Sequence, residues 1–219
     1  MFKSLNPRRI ITLTLGFAMT VAAGIASVAA QETPKKGGTL VYGLSNDPPH
    51  LNIALTNDLN AQQTATQVFS QLIRVDTKGV VTGDLAESWE SAADGLSYTF
   101  RIRKGVQWHD GKPLTADDIR WALTEITMKY NPNASTAFAA VDKIEAPNET
   151  TLIIRMKHPF PAFMPWSLVN QWIYPRQYYE GKDPRENERN IKNPIGSGPF
   201  VFKEWVRGQK IVLEANPDF

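Results

Sequence analysis

A regular alternation of apolar and polar side chains runs through residues 96–103, in the order Leu-Ser-Tyr-Thr-Phe-Arg-Ile-Arg. Tyr98, Phe100 and Ile102 share one side of this segment, so the period of two predicts a strand with one buried face. Asp94-Gly95 precedes the segment and predicts a hairpin turn, because glycine tolerates the positive φ that tight turns require. Two further turn signals follow, at Lys104-Gly105 and at His109-Asp110-Gly111.

Two segments instead carry apolar residues at helical spacing. Residues 60–73 have one apolar face, which predicts a helix with one buried side. Thr115 is followed three residues later by Asp118, which is the pattern of a capping box, and acidic side chains in a first turn are favoured by the helix dipole. The second helix is therefore predicted to begin after Thr115 and to end at Asn131-Pro132.

The remaining pattern predicts further strands. Residues 39–44 are expected to form a short first strand that ends before Pro48-Pro49. Residues 141–146 and 151–157 read as one antiparallel hairpin, and residues 200–205 and 209–215 read as another, with its turn at Arg207-Gly208. Strands and helices mixed in this order predict an α/β (mixed α+β) fold.

The first 30 residues have the pattern of a secretory signal peptide. A basic start with three Lys and Arg is followed by an apolar run, and small residues precede the expected cleavage site after Ala30. General secretion is favoured over the twin-arginine route that Arg8-Arg9 raises. Removing this segment leaves 21 basic residues (24 minus 3) against 22 acidic ones, a net charge of −1. A nucleic-acid partner is therefore not expected.

The composition offers little for catalysis or metal binding. The chain has no cysteine, and its three histidines lie far apart without metal-ligand spacing. Gly196-Ser197-Gly198 lacks the GxSxG pattern of a nucleophile elbow. We therefore expect no enzyme activity, no metal and no cofactor. A secreted α/β hydrolase is the alternative from another class, and it would need a nucleophile with a base beside it.

The stretch LAESWE…DGLSYTFRIRKGVQWHDGKPLTADDI resembles the signature region of the bacterial extracellular solute-binding proteins of family 5, the peptide-, dipeptide- and nickel-binding components of ABC importers. GGTLVYGL resembles the first strand of that family. PIGSGPFVFKEWVRGQKIVLEANPDF resembles the segment in which the chain of the family returns to its first lobe.

The resemblance implies a periplasmic-binding-protein-like fold of class II, in which a solute is captured between two lobes that close about a hinge. It implies a periplasmic monomer that delivers a peptide or similar small solute to an ABC permease in the inner membrane. Residues 31–219 would hold the N-terminal part of the solute-binding domain, with an inserted subdomain at about residues 60–190. The second lobe would be absent, so a fragment without independent function is an alternative.

The resemblance also implies ligand contacts. The loop after the first strand maps near Asn57 and Leu59, and the Ser197-Gly198 turn lies close to the ligand cleft of the family. Trp172 is a candidate for stacking on the ligand, as is Trp166, and both are equally compatible with a place in the core. The ligand itself (oligopeptide, dipeptide, opine, sugar or nickel complex) is left open by the sequence. An isolated chain lacking the second lobe is expected to bind peptides negligibly and to be marginally stable.

Overall fold

The computed structural model describes residues 37–219, apart from the side chain of residue 135. The chain divides into two units, Met1–Tyr42 and Gly43–Phe219. The predicted first strand at residues 39–44 is wrong for this structure, since these residues have no strand assignment and Leu40 and Val41 are 91% and 88% exposed. A strand requires a hydrogen-bonded neighbour, and no strand in the described part of the chain pairs with this segment. The predicted signal peptide lies outside the described residues.

A four-stranded antiparallel sheet forms the centre of the second unit. Its strands are β3 (Ala86–Ser91), β4 (Ser97–Ile102), β5 (Val141–Asn148) and β6 (Thr151–Met156), in the order β3-β4-β6-β5. The predicted alternation is confirmed, because Tyr98, Phe100 and Ile102 are buried while Thr99 and Arg101 are exposed. Burial of side chains of this size stabilises the fold by about 1.5–3 kcal/mol each.

The long helix α2 packs against β5 and β6. It comprises α-helical Ala116–Trp121, π-helical Ala122–Thr127 and α-helical Met128–Tyr130. The capping box is confirmed: Thr115 Oγ1 accepts from the backbone N–H of Asp118, and the Asp118 carboxylate accepts from the backbone N–H of Thr115. The helix buries an apolar stripe that includes Ile119, Leu123 and Ile126.

Helix α1 spans Leu59–Val68, so it ends five residues before the predicted boundary at residue 73. Asp58 caps its start by accepting from the backbone N–H of Ala61. Residues beyond Val68 instead lead into β1 (Ile73–Val75), which pairs with β2 (Val81–Gly83). The prediction of a longer helix from the apolar spacing is wrong. The chain is extended at Phe69, and the carbonyls of Val68 and Ser70 accept from the distant N–H groups of Gly198 and Ile173.

The C-terminal hairpin is confirmed as β7 (Phe200–Val206) and β8 (Lys210–Ala215). Strand β7 packs against α1. Short helical segments fill the connections between these elements, at Ile53–Leu55, Ala134–Ala137, Phe163–Leu168, Arg176–Tyr179, Pro184–Glu186 and Glu188–Asn190. The mixed α/β class predicted from the sequence is thus observed. Within residues 37–219, no helix has the length and apolarity needed to cross a membrane.

Candidate functional site

The turn formed by residues 196–198 lies against the C-terminal end of α1. The backbone N–H of Gly198 donates to Val68 O at 2.9 Å and so satisfies one of the carbonyls that the end of a helix leaves without a partner. The approach is too close for a side chain, because a Cβ on Gly196 would lie 1.9 Å from Val68 O and one on Gly198 would lie 2.7 Å from the same atom. Both glycines are therefore required by the contact with α1.

Two side chains from other parts of the chain fix the same turn. Ser70 Oγ donates to Ser197 O at 3.0 Å, and Asn216 Nδ2 donates to Gly198 O at 3.1 Å. The backbone groups of Gly198 are thus occupied by protein partners. In the described residues, the polar atom of the turn that lacks a hydrogen-bond partner is Ser197 Oγ, in a side chain that is only 2% exposed.

Ser197 lines a pocket of about 370 Å³. The pocket is bordered by β1, β2, the start of β3, the turn after β4 and the end of the chain, through residues Ser70, Arg74, Gly83, Asp84, Leu85, Arg103, Lys104, Gly105, Val106, Gln107, Ser197, Asn216, Asp218 and Phe219. A buried hydroxyl without a partner is costly to the fold. Its oxygen has almost no accessible surface in this conformation, so it becomes a candidate for a hydrogen bond to a solute in the pocket only when a small movement of the turn exposes it.

Asp84 is the carboxylate of this pocket that is most withdrawn from water. Burial raises its pKa, against the opposing effect of the hydrogen bond from the backbone N–H of Gln71 at 2.8 Å and of the nearby charges of Arg74 and Arg103. Arg103 also donates through Nε to Asp84 O at 2.7 Å. The pocket therefore presents both signs of charge beside the turn that contains Ser197.

The other two predicted contacts, Asn57 and Leu59, lie at the opposite end of α1. Leu59 is 62% exposed, and the exposed Asn57 accepts from Asn133 Nδ2 at 3.2 Å through Oδ1. The ten residues of α1 span about 15 Å at 1.5 Å per residue. The structure thus places the predicted contacts in two groups about one helix length apart, which is about the length of four or five residues of extended peptide.

Trp172 corrects an expectation of the sequence. Its side chain is 5% exposed and belongs to the hydrophobic core, so its ring has no face available for stacking on a ligand in this conformation. Trp166, the other tryptophan considered, is 83% exposed. Trp166 lies within the π-helical segment Phe163–Leu168, whereas Trp172 follows that segment and forms an isolated β-bridge with Gln71.

His109 has a larger part in this site than the sequence suggested. The sequence favours a simple turn at His109-Asp110, yet the imidazole contacts the 196–198 turn through both ring nitrogens. Nε2 lies 3.0 Å from Gly198 O, and Nδ1 accepts from the backbone N–H of Gly196 at 3.3 Å. The signal available in the sequence was a histidine within a dense run of turn residues, but its partner is nearly 90 residues away.

In residues 37–219, no cluster of three or more His, Asp or Glu side chains is arranged to hold a metal ion. The groups that the site does offer are a hydroxyl, amides and backbone atoms around a pocket, with charged side chains at its border. Such groups bind a polar solute by hydrogen bonds.

Residues 80–219 match the family described as bacterial extracellular solute-binding proteins, family 5 Middle. The chain belongs to this family. It is 35% identical over 190 residues to the oligopeptide-binding protein AppA of Bacillus subtilis, a match that covers 85% of this chain. It is 32% identical over 200 residues to the probable D,D-dipeptide-binding periplasmic protein DdpA of Escherichia coli, and this match covers 88% of this chain.

Solved structures of family 5 relatives share the fold. The structure of AppA in complex with a nonapeptide matches with a TM-score of 0.78 over 85% of this chain and 38% of AppA. NikZ of Campylobacter jejuni in complex with Ni(L-His) matches at 30% identity with a TM-score of 0.67, over 80% of this chain and 34% of NikZ. The periplasmic-binding-protein-like fold expected from the sequence is thus confirmed.

The chain spans 35% of the length of AppA and 38% of the length of DdpA. The matched region of these relatives is therefore a part of a longer protein.

Proposed function

We propose that this chain is part of a substrate-binding component of an ABC importer that captures peptides or similar small solutes in the periplasm. The observation that carries the proposal is the likeness to AppA, which combines 35% identity with a TM-score of 0.78 and whose structure holds a nonapeptide. In this proposal the protein releases its ligand unchanged to a permease in the inner membrane and acts as a monomer without catalysis.

The proposed contacts lie at both ends of α1. Asn57 and Leu59 would contact one part of an extended solute. The Ser197 hydroxyl, which has almost no accessible surface in this conformation, would contact another part after a small movement of the turn exposes it. The separation of about 15 Å suits a ligand of several residues better than a single amino acid. Gly198 supports this site by allowing the close approach to Val68.

Export is the other part of the proposal. Residues 1–30 would be removed as a signal peptide, and residues 31–219 would form the N-terminal part of the solute-binding domain, with the inserted subdomain at about residues 60–190. Intact mass spectrometry of protein released by osmotic shock tests this directly. The mature protein is expected to begin at Gln31, and retention of the first 30 residues in a cytoplasmic fraction would contradict export.

The binding experiment uses the complete reading frame that contains these 219 residues, exported and purified under non-denaturing conditions. Isothermal titration calorimetry compares peptides of two to nine residues with free amino acids and with a nickel–histidine complex. Peptides are expected to bind with a Kd in the micromolar range or below. Binding of the nickel complex in place of peptides would refute the substrate class, and binding of neither would refute the capture role.

The Ser197 contact has its own test. Ser197→Ala removes a buried hydroxyl without a partner, so the free energy of unfolding should stay the same or rise, while affinity for the peptide falls about fivefold. Ser70→Ala is the matched control, because it removes the donor to Ser197 O and should lower the free energy of unfolding by about 1–2 kcal/mol.

Unchanged affinity in Ser197→Ala would remove Ser197 from the site without affecting the capture role. Cleavage of peptides by the wild-type protein that disappears in Ser197→Ala would instead favour the hydrolase alternative.

A further inference from the structure

His109 and the 196–198 turn form a reciprocal set of three hydrogen bonds. The backbone N–H of His109 donates to Gly196 O at 2.8 Å. The backbone N–H of Gly196 donates to His109 Nδ1 at 3.3 Å, and Nε2 lies 3.0 Å from Gly198 O. The imidazole is half-buried between the two segments, so these bonds connect the turn before α2 with the turn that lines the pocket.

These partners fit one protonation state of the imidazole. Nδ1 faces a backbone N–H and must accept, so it carries no proton. Nε2 faces a carbonyl oxygen and must donate, so it carries the proton. The neutral Nε2–H tautomer satisfies both contacts. An imidazolium ion would place a second proton on Nδ1, directed at the N–H of Gly196, and two donors would then face each other.

We infer that His109 is a positioning residue whose neutral Nε2–H form helps to fix the Ser197-Gly198 turn at the edge of the pocket, and whose protonation breaks the bond from the N–H of Gly196 and loosens that part of the turn. The inference rests on the proposed function in one respect, namely that the turn contacts the solute. The turn itself contributes no charge, since it consists of Gly196, Ser197 and Gly198, and the adjoining end of α1 at Gln67 and Val68 is also uncharged.

The charge that acts on the pKa of His109 is that of its neighbour Asp110. This carboxylate also accepts from the hydroxyl of Tyr178 at 2.8 Å and pairs with Lys112 at 3.5 Å. Burial lowers the pKa of His109 below its ordinary value of 6.5, and this effect outweighs the hydrogen bond to Gly198 and the charge of Asp110, which both act to raise it. The neutral form is therefore the state at pH 7.

Because the pKa of His109 is lowered, this residue stabilises the fold less at acidic pH than at neutral pH. A histidine with a lowered pKa binds fewer protons in the folded chain than in the unfolded chain, so its contribution to stability is complete above pH 6.5. The contribution is lost as the pH falls from 6.5 towards the pKa of the folded state. Acidification should therefore loosen the turn while most of the fold persists.

Nuclear magnetic resonance of the exported protein measures this without any ligand. Nitrogen shifts of the imidazole at pH 7.5 should show the Nε2–H tautomer of His109. Amide exchange, expressed as a protection factor to remove its intrinsic pH dependence, should show Gly196 losing about fivefold protection or more between pH 7.5 and pH 5. The amide of Ala116, which donates to Glu149 O, should keep its protection and serves as the internal reference.

Two variants identify the group responsible. His109→Gln retains an N–H donor in place of Nε2 and does not titrate, so protection at Gly196 should no longer respond to pH. His50→Gln is the matched control, because burial also lowers the pKa of His50 but its ring accepts from the backbone N–H of Asn52 instead. The response at Gly196 should survive in this variant.

The Nδ1–H tautomer in the wild type, or protection at Gly196 that does not depend on pH, would overturn the inference whether or not the variants fold. Peptide affinity gives an independent readout: it should fall below pH 6.5 in the wild type and not in His109→Gln. If no peptide binds at any pH, the proposed function fails, while the tautomer and exchange results still decide the role of His109.

Discussion

At the scale of single residues, the two glycines of the 196–198 turn show how little space the site allows. Both lie where a Cβ would meet the C-terminal carbonyls of α1. The requirement is steric, because neither glycine is among the residues with positive φ. Glycine at these positions therefore reflects the approach of two backbones and not the conformation of the turn.

Gly196→Ala tests this contact. The added Cβ would lie 1.9 Å from Val68 O, so α1 and the turn must separate, and the free energy of unfolding should fall by about 1–3 kcal/mol in urea denaturation. Gly43→Ala is the matched control, since no atom lies within 4 Å of its Cβ position and its φ is not positive. Equal stability of the two variants would mean that the approach to Val68 is not required.

At the scale of elements, the start of α2 has both a local capping box and a hydrogen bond to the connection between two strands of the sheet. Thr115 and Asp118 cap the helix reciprocally, and Ala116 N donates to Glu149 O in the connection between β5 and β6. The cap therefore sets the position at which the helix begins to pack on the sheet. Asp117 adds an ion pair to Arg176 at 2.8 Å, which is exposed and contributes little.

Thr115→Ala should lower the free energy of unfolding by about 1 kcal/mol, the usual cost of losing a side chain at this helix position. Thermal and chemical denaturation both measure the change. Thr66→Ala in α1 provides the comparison, because the hydroxyl of Thr66 is exposed and donates within its own helix to Gln63 O. An equal loss of unfolding free energy in both variants would show that the Thr115 cap stabilises the fold no more than an exposed hydroxyl within a helix.

At the scale of the whole second unit, segments far apart in the sequence are joined by Arg207 in the β7–β8 turn. Its guanidinium donates to Pro48 O at 2.6 Å and to Pro49 O at 2.9 Å, and it pairs with Asp47 at 3.2 Å. The same group lies 3.8 Å above the ring of Trp205. These contacts attach the segment that precedes α1 to the C-terminal hairpin.

Arg207→Met should therefore lower the free energy of unfolding by about 1–2 kcal/mol. This is the lower end of the range for hydrogen bonds to charged groups, because the side chain is partly exposed. It should also speed amide exchange at Leu51 to Leu55. Arg185→Met is the comparison for loss of a more exposed arginine, since Arg185 is 68% exposed, pairs with Asp183 two residues away and lies 5.5 Å from the ring centroid of Tyr130. Unaltered exchange in the Arg207 variant would argue against this anchoring role.

The sequence by itself determined the features whose causes are local. The alternation at Tyr98, Phe100 and Ile102, the capping box at Thr115 and the two later hairpins all depend on neighbours within a few residues, and all are present. The resemblance to family 5 was also available from the sequence, because it rests on a long continuous run of residues.

The tertiary structure decided what depends on distant contacts. Helix α1 ends at Val68, where the N–H of Gly198 donates to its last carbonyl. Trp172 is buried and Trp166 is exposed, a difference that the sequence left open. The segment at residues 39–44 has strand character but no partner strand in the described residues. The meeting of His109 with Gly196 and Gly198 joins residues 87 and 89 positions apart, and local patterns carry no information about such a contact.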